Sequence, residues 1–240
     1  MTTIYLVRHG QASFGAANYD QLSPLGERQG ALLGRWWRQT GVAAPSVVVG
    51  AMQRHLQTAR ACLAELGQTA LADEALVDPG FNEYDHEAIL RIYRPDLGDH
   101  ASVRRYLIGQ AEQGIDPKHA FQRVFMQAVN RWTSGQHDAD YAESWVGFQQ
   151  RCSAAVRRAA ALTQERGHDS VAVFTSGGPI MAITQDVMGV PDERAFDLAW
   201  SLHNAGVTRL KARPSGLRLG GFNDVAHLDI TRDPSTLTYR

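Results

Sequence analysis

The sequence predicts an α/β fold: a three-layer α/β/α sandwich with a mostly parallel sheet and a helical insertion. Three observations carry this. Short apolar runs alternate with longer helix-like stretches through both ends of the chain. Three of these runs, Ile4-Tyr5-Leu6-Val7, Val47-Val48-Val49 and Val171-Ala172-Val173-Phe174, are apolar at every position, the pattern of strands buried on both faces. Between Tyr84 and Asp140 the rhythm breaks into helical segments alone. Residues 1–240 are therefore read as one domain carrying a helical cap insertion over about 84–140.

Each element follows from local chemistry. Thr3 to Val7 forms the first strand and stops at Arg8-His9-Gly10. Ser23-Pro24 starts the first helix: the hydroxyl caps it, and proline at the first helical position lacks only an N–H that would have no partner there. That helix runs through Leu32, Leu33, Trp36 and Trp37 and stops near Gly41. Val47–Val49 is the second strand, followed by a helix from about Gln53 to Leu66. The insertion reads as helices around Glu87–Tyr93, Ser102–Gln113 and His119–Thr133, separated by Pro95, Gly98, Gly114 and Pro117. A long helix from Glu143 to about Arg166 leads into the Val171–Phe174 strand, which runs into Thr175-Ser176-Gly177-Gly178-Pro179 and a helix over Ile180–Met188. Strands over Ala205–Ala212 and Leu217–Phe222 follow.

Composition removes several classes of function. The chain carries 24 Lys and Arg against 25 Asp and Glu, so no global field draws it to nucleic acid or to an anionic membrane. Affinity for an anionic ligand has to come from a local cluster. No apolar run reaches transmembrane length, and the N-terminus lacks the basic, apolar and small-residue segments of a secretory signal, so a cytoplasmic protein is expected. Cys62 and Cys152 stand far apart without C-x-x-C spacing and read as small buried apolar side chains in a reducing compartment. Asp85-His86-Glu87 point in different directions and lack the spacing of metal ligands, so no metal site is expected. There is no G-x-x-x-x-G-K-[ST] loop and no G-x-G-x-x-G after a strand, which leaves nucleotide-triphosphate and dinucleotide binding without an anchor. The sequence does not specify an oligomeric state.

In open α/β sheets ligands bind where the strands end. Three apolar strands deliver polar residues there: Arg8-His9-Gly10, Arg54, and Ser176-Gly177-Gly178. Arg-His-Gly directly after a strand puts a guanidinium and an imidazole side by side, with Gly10 read as the residue that lets the backbone turn away.

The run Ile4-Tyr5-Leu6-Val7-Arg8-His9-Gly10-Gln11 resembles the opening signature of the histidine phosphatase superfamily, the phosphoglycerate-mutase-like fold. Leu22-Ser23-Pro24-Leu25-Gly26, Arg54-His55-Leu56-Gln57-Thr58-Ala59, Phe81-Asn82-Glu83, and Phe222-Asn223-Asp224 with His227-Leu228 are similar to further motifs of that family, in the family's order. The likeness spans essentially the whole chain, and its specificity rests on the two arginine motifs. It implies a cofactor-independent phosphomonoesterase acting on a small phosphorylated metabolite through a phosphohistidine on His9. Arg8 and Arg54 are implied as bidentate grips on the phosphoryl oxygens, a task for which lysine is less suited. Glu83 is implied as the acid that protonates the leaving oxygen, with Asp85 and Glu87 as nearby alternatives. Gln11, Ser13, Ser23 and Gly177 are expected to contribute donors to the phosphate or substrate, Ser23 being foremost a helix cap, and Gln57 is expected to brace Arg54.

One position departs from the family. Where a second histidine is normal, in a Ser-His-Gly-Gly-like motif, this chain has Ser176. A neutral hydroxyl, aided by the Ser176–Gly178 amides at a helix N-terminus, is expected to take over phosphate contact. His203, His55 and His86 are the imidazoles that could substitute from elsewhere. The rival reading is a non-catalytic phosphoester-binding sensor or scaffold, and a phosphomutase is a third.

Overall fold

The computed structural model describes residues 1–13 and 20–239. It divides into two compact units, one of Met1–Glu83 with Arg151–Arg240 and one of Tyr84–Gln150.

The first unit is built on a six-stranded sheet, mostly parallel and flanked by helices, in the order β3-β2-β4-β1-β5-β6. Its elements are β1 (Thr2–Arg8), α1 (Pro24–Thr40), β2 (Ser46–Val49), α2 (Gln53–Glu65), α3 (Thr69–Asp73) and β3 (Leu76–Val77). In the second unit come α4 (His86–Tyr93), α5 (His100–Glu112), α6 (Pro117–Thr133) and the start of α7 (Trp145–Glu165). The chain then returns to the sheet with β4 (Ser170–Thr175), α8 (Gly177–Met188), α9 (Ala195–Ser201), β5 (Val207–Arg213), β6 (Gly216–Asp224) and α10 (Ala226–Asp229).

The register explains the site. β4 pairs in parallel with β1 (Leu6 beside Val173, Arg8 beside Thr175) and with β2 (Val49 beside Phe174), so all three strands release their polar sequels at one edge. β5 runs antiparallel to β1, which brings the residues before Val207 to that same edge. Every residue of β2 and β4 is buried, as their unbroken apolar runs require. One core packs Val7, Val47, Val49, Ala172 and Phe174 with Leu33, Trp37, Ala59, Cys62 and Leu63 of α1 and α2.

Some local readings are corrected. Gly10, read as the residue that lets the backbone turn away, does not take a positive φ; a Cβ there would lie 2.3 Å from the Gly26 carbonyl oxygen, so glycine is required for the close approach of the strand end to the start of α1. β5 starts at Val207 rather than Ala205, because Ala205 has φ 58° and breaks the extended chain. β3, two exposed residues at the sheet edge, and the five-residue α3 are too short to leave a periodic signal.

In the second unit α4 and α6 come close to their expected positions, and the long helix starts at Trp145 rather than Glu143. Trp132 is its centre, with the rings of Tyr84, Trp145 and Phe148 at 5.2, 5.1 and 5.7 Å and its Nε1 donating to the Glu143 carbonyl at 2.8 Å.

Candidate active site

His9 sits at the end of β1, held on three sides by main chain and side chain. Its N–H donates to Thr175 O (2.8 Å), and its carbonyl accepts from Ala205 N and Asn204 Nδ2, both at 3.2 Å. Its Nδ1 lies 2.7 Å from Gly10 O. A carbonyl can only accept, so Nδ1 carries the proton and Nε2 is left with a bare lone pair. Burial, then Arg54, Arg8 and His55, hold this imidazole well below its ordinary 6.5. At neutral pH it is therefore an uncharged ring with an available nitrogen, among cations.

Arg54 lies on the first turn of α2. Its Nη1 donates to Asp20 Oδ1 at 2.8 Å, and Asp20 Oδ2 accepts from Gln53 N at 2.9 Å, so one carboxylate both caps α2 and orients the guanidinium. Gln57, expected in that bracing role, instead accepts from Leu22 N at 2.8 Å, where the loop backbone needs an acceptor. Thr58 joins the two arginine motifs: its hydroxyl donates to Arg54 O (2.7 Å) and accepts from Gly10 N (3.0 Å). Arg8 directs its fork at main-chain carbonyls, Nη1 to Leu202 O and Nη2 to Tyr239 O (2.8 Å), and Gly177 lies against its Nε.

The Glu83 carboxylate accepts from Gly178 N at 3.2 Å, on the first turn of α8. An amide expected to receive an anion thus already donates to the Glu83 side chain. The loop before Glu83 is clamped by Thr175 Oγ1 to Phe81 O (2.6 Å), by Ala51 N to Asn82 Oδ1 (2.6 Å), and by Arg151 Nη1 to the carbonyls of Pro79, Gly80 and Asn82 (3.2, 3.1 and 3.0 Å). Nothing in the sequence marks Arg151, one of three arginines on a 21-residue helix. Asp85 caps α4 by accepting from Ala88 N at 2.9 Å, and Glu87 faces His100 at 3.7 Å.

The other expected donors are engaged within their own loop. Ser23 Oγ accepts from Gly26 N (3.1 Å), which makes it the helix cap, and donates to Gln11 Oε1 (2.8 Å). Ser13 Oγ donates to Leu22 O at 2.9 Å. Both hydroxyl protons therefore stabilise the loop rather than face a ligand, and Gln11 is further anchored by its N–H to Gln29 Oε1 at 2.8 Å.

Residues 4–124 and 108–225 match the histidine phosphatase superfamily (branch 1). The chain belongs to this superfamily. No curated protein matches it in sequence. Among solved structures it is similar to a phosphoglycerate mutase from Bacillus anthracis str. Sterne, at TM-score 0.66 and 14% identity over 97% of each chain. It is also similar to a phosphoserine phosphatase mutant from Entamoeba histolytica in complex with phosphoserine, at TM-score 0.62 and 15% identity, covering 95% of this chain and 100% of that one. A third likeness is to a mycobacterial glucosyl-3-phosphoglycerate phosphatase, at TM-score 0.59 and 22% identity over 94% and 100%. At these identities the likenesses establish the fold.

For a histidine phosphatase, the end of β4 is the unusual place. Ser176 is fully buried at the N-cap of α8, yet its side chain makes no capping bond; its Oγ lies 2.7 Å from His55 Nε2. The His55 ring is 5.9 Å from that of His9, and its pKa is pushed down to about 3 by burial first and Arg54 second. Of the three imidazoles considered as substitutes, His55 is the one joined to Ser176. His203 lies on the Arg8 side and is not joined to Ser176: its Nδ1 is 3.0 Å from Asn223 Nδ2 and its ring 4.3 Å from that of Tyr239, whose carbonyl accepts from Arg8. His86 is the first residue of α4 in the helical unit. Among the described residues no three His, Cys, Asp or Glu side chains are grouped to hold a metal ion, and no helix is long and apolar enough to cross a membrane.

Proposed function

We propose that this protein is a phosphomonoesterase that takes the phosphoryl group of a small phosphorylated metabolite onto His9 and passes it to water without a cofactor. Membership of the histidine phosphatase superfamily supports phosphoester hydrolysis or transfer in general, by an enzyme of phosphatase type. The observation that carries the finer reading is the state of His9: Nδ1 is engaged by Gly10 O, so a neutral ring presents Nε2 beside two arginines.

In the first step the Nε2 lone pair attacks phosphorus and the ester P–O bond breaks. The leaving oxygen takes a proton from the Glu83 carboxyl. In the second step water attacks phosphorus, Glu83 takes a proton from that water, and the P–N bond returns its electron pair to Nε2. Arg54 and Arg8 hold the non-bridging oxygens through both steps, and positioning with charge stabilisation supplies most of the acceleration. For this the phosphate must compete with Asp20 for Arg54 and with the Leu202 and Tyr239 carbonyls for Arg8, which a dianion can do through charge-assisted bonds.

Phosphate release from an aryl phosphate tests the proposal. The wild-type chain should turn it over and His9→Ala should not. Ligand-induced stabilisation without turnover in either protein would make the chain a phosphoester-binding sensor instead.

A further inference from the structure

We propose that His55 acts on the phosphoryl group through Ser176: its Nε2–H donates to the Ser176 hydroxyl, which leaves the hydroxyl proton to face a phosphoryl oxygen held beside His9. The inference rests on the His9 reading above and adds a positioning residue to it.

The geometry puts a ring nitrogen within hydrogen-bond distance of the Ser176 hydroxyl. His55 and Ser176 are both fully buried and 2.7 Å apart, although 121 residues separate them in sequence. Space for the ring is made by Gly50, where a Cβ would come within 2.3 Å of His55 Nδ1. His55 directly follows Arg54 on the first turn of α2, so the gripping arginine and this ring are fixed as one piece. Ser176 in turn stands between two ties to the acid loop, Thr175 to Phe81 O at 2.6 Å and Gly178 to Glu83 at 3.2 Å. A displacement of Ser176 would therefore be felt by the Glu83 loop.

A neutral imidazole has one N–H and one lone pair. With the proton on Nδ1, Ser176 has to donate to Nε2 and offers a phosphoryl group only lone pairs, which repel anionic oxygens. With the proton on Nε2, the ring donates to Oγ, and the hydroxyl becomes a donor aimed at the ligand. Burial and then Arg54 oppose charging this ring, and the Gly50 backbone beside Nδ1 favours a proton there in the unliganded chain, so the change open to the ring at neutral pH is a shift of that proton to Nε2. A bound dianion interacts better with the second arrangement and selects it.

The test has two arms. Nitrogen-15 NMR of the full histidine-labelled chain, with and without orthovanadate, reads the tautomer directly. The vanadate-bound protein should show a protonated Nε2 on His55, and a bare Nε2 with the proton on Nδ1 would overturn the proposal. In the second arm, His55→Leu and Ser176→Ala should each lower kcat on an aryl phosphate by roughly ten- to a hundred-fold. The double variant should be no slower than the slower single one, because both remove the same donor. His55→Gln, whose amide can still donate to Oγ, should recover most of the loss. Wild-type kcat in His55→Leu, or losses that multiply in the double variant, would contradict the pairing. The NMR arm uses the unaltered chain and decides even where a variant fails to fold. Absence of His9 phosphorylation in the wild-type chain would remove the reading beneath; phosphorylated His9 with independent 55 and 176 would remove this inference alone.

Discussion

The strand-end edge of the sheet and the helical unit are stabilised by opposite means. At the ends of β1, β2 and β4 the buried groups are polar: His9, Arg54, His55, Thr58, Thr175 and Ser176. Each is tied to a carbonyl, an amide or another side chain. In Tyr84–Gln150 the buried groups are apolar, the rings of Trp132, Trp145 and Phe148 with aliphatic side chains such as Ile89, Leu90, Val124 and Val129, and α5 buries none of its thirteen residues. Buried polar groups cost stability unless satisfied, and a fold does not need six of them in one place. Their concentration at the strand ends marks a site, whereas the aromatic cluster marks a core. Substitutions should separate the two: the edge should lose rate while keeping stability, and the cluster should lose stability.

The largest effect is expected in the helical unit. Trp132→Ala should destabilise the protein by about 3–5 kcal/mol, since it removes a fully buried ring from a packed cluster. Chemical denaturation measures this, and a loss under about 1 kcal/mol would deny that Trp132 is a core residue. Arg54→Ala should instead raise the barrier for phosphate release by about 2–4 kcal/mol, roughly 30- to 1,000-fold in rate. Its melting temperature should hardly move, because the partner carboxylate of Asp20 is 37% exposed and water can take the place of the guanidinium. A stable protein with wild-type rate would remove Arg54 from the site.

Per group and per pH unit, the smallest effect concerns pH. Burial holds His9, His55 and His227 below the ordinary 6.5, His55 to about 3 and His227 to about 4. Below about pH 6.5 the unfolded chain binds protons at these positions that the folded chain refuses. Stability should therefore fall as pH drops from 6.5 towards 4, by up to about 1.4 kcal/mol per pH unit for each group. Urea midpoints at pH 7, 6 and 5 check this; a flat series would contradict the buried, neutral rings.

Much of the edge was legible because covalent adjacency carries it. β1 running straight into Arg8 and His9, Ser23 before Pro24, and Arg54 opening α2 are local patterns, and the structure has each where the pattern puts it. Contacts between distant segments left no periodic signal. Asp20 meets Arg54 across 34 residues, and Arg151 meets the loop before Glu83 across about 70. The same limit explains Gln57, which stands three residues after Arg54 yet serves Leu22 instead. Ser176 was readable as a departure, but its imidazole partner was one of three until the register of β4 with β2 brought Ser176 to His55.

The proposed chemistry turns on a nitrogen–phosphorus bond on His9. Rapid mixing of the protein with a fast-leaving aryl phosphate, quenching in base and mapping the labelled peptide would test it directly. His9 should carry a phosphoryl group that survives base, is lost in mild acid, and is absent from His9→Ala. Label on a serine in an acid-stable form, or steady turnover with His9 never labelled, would contradict it.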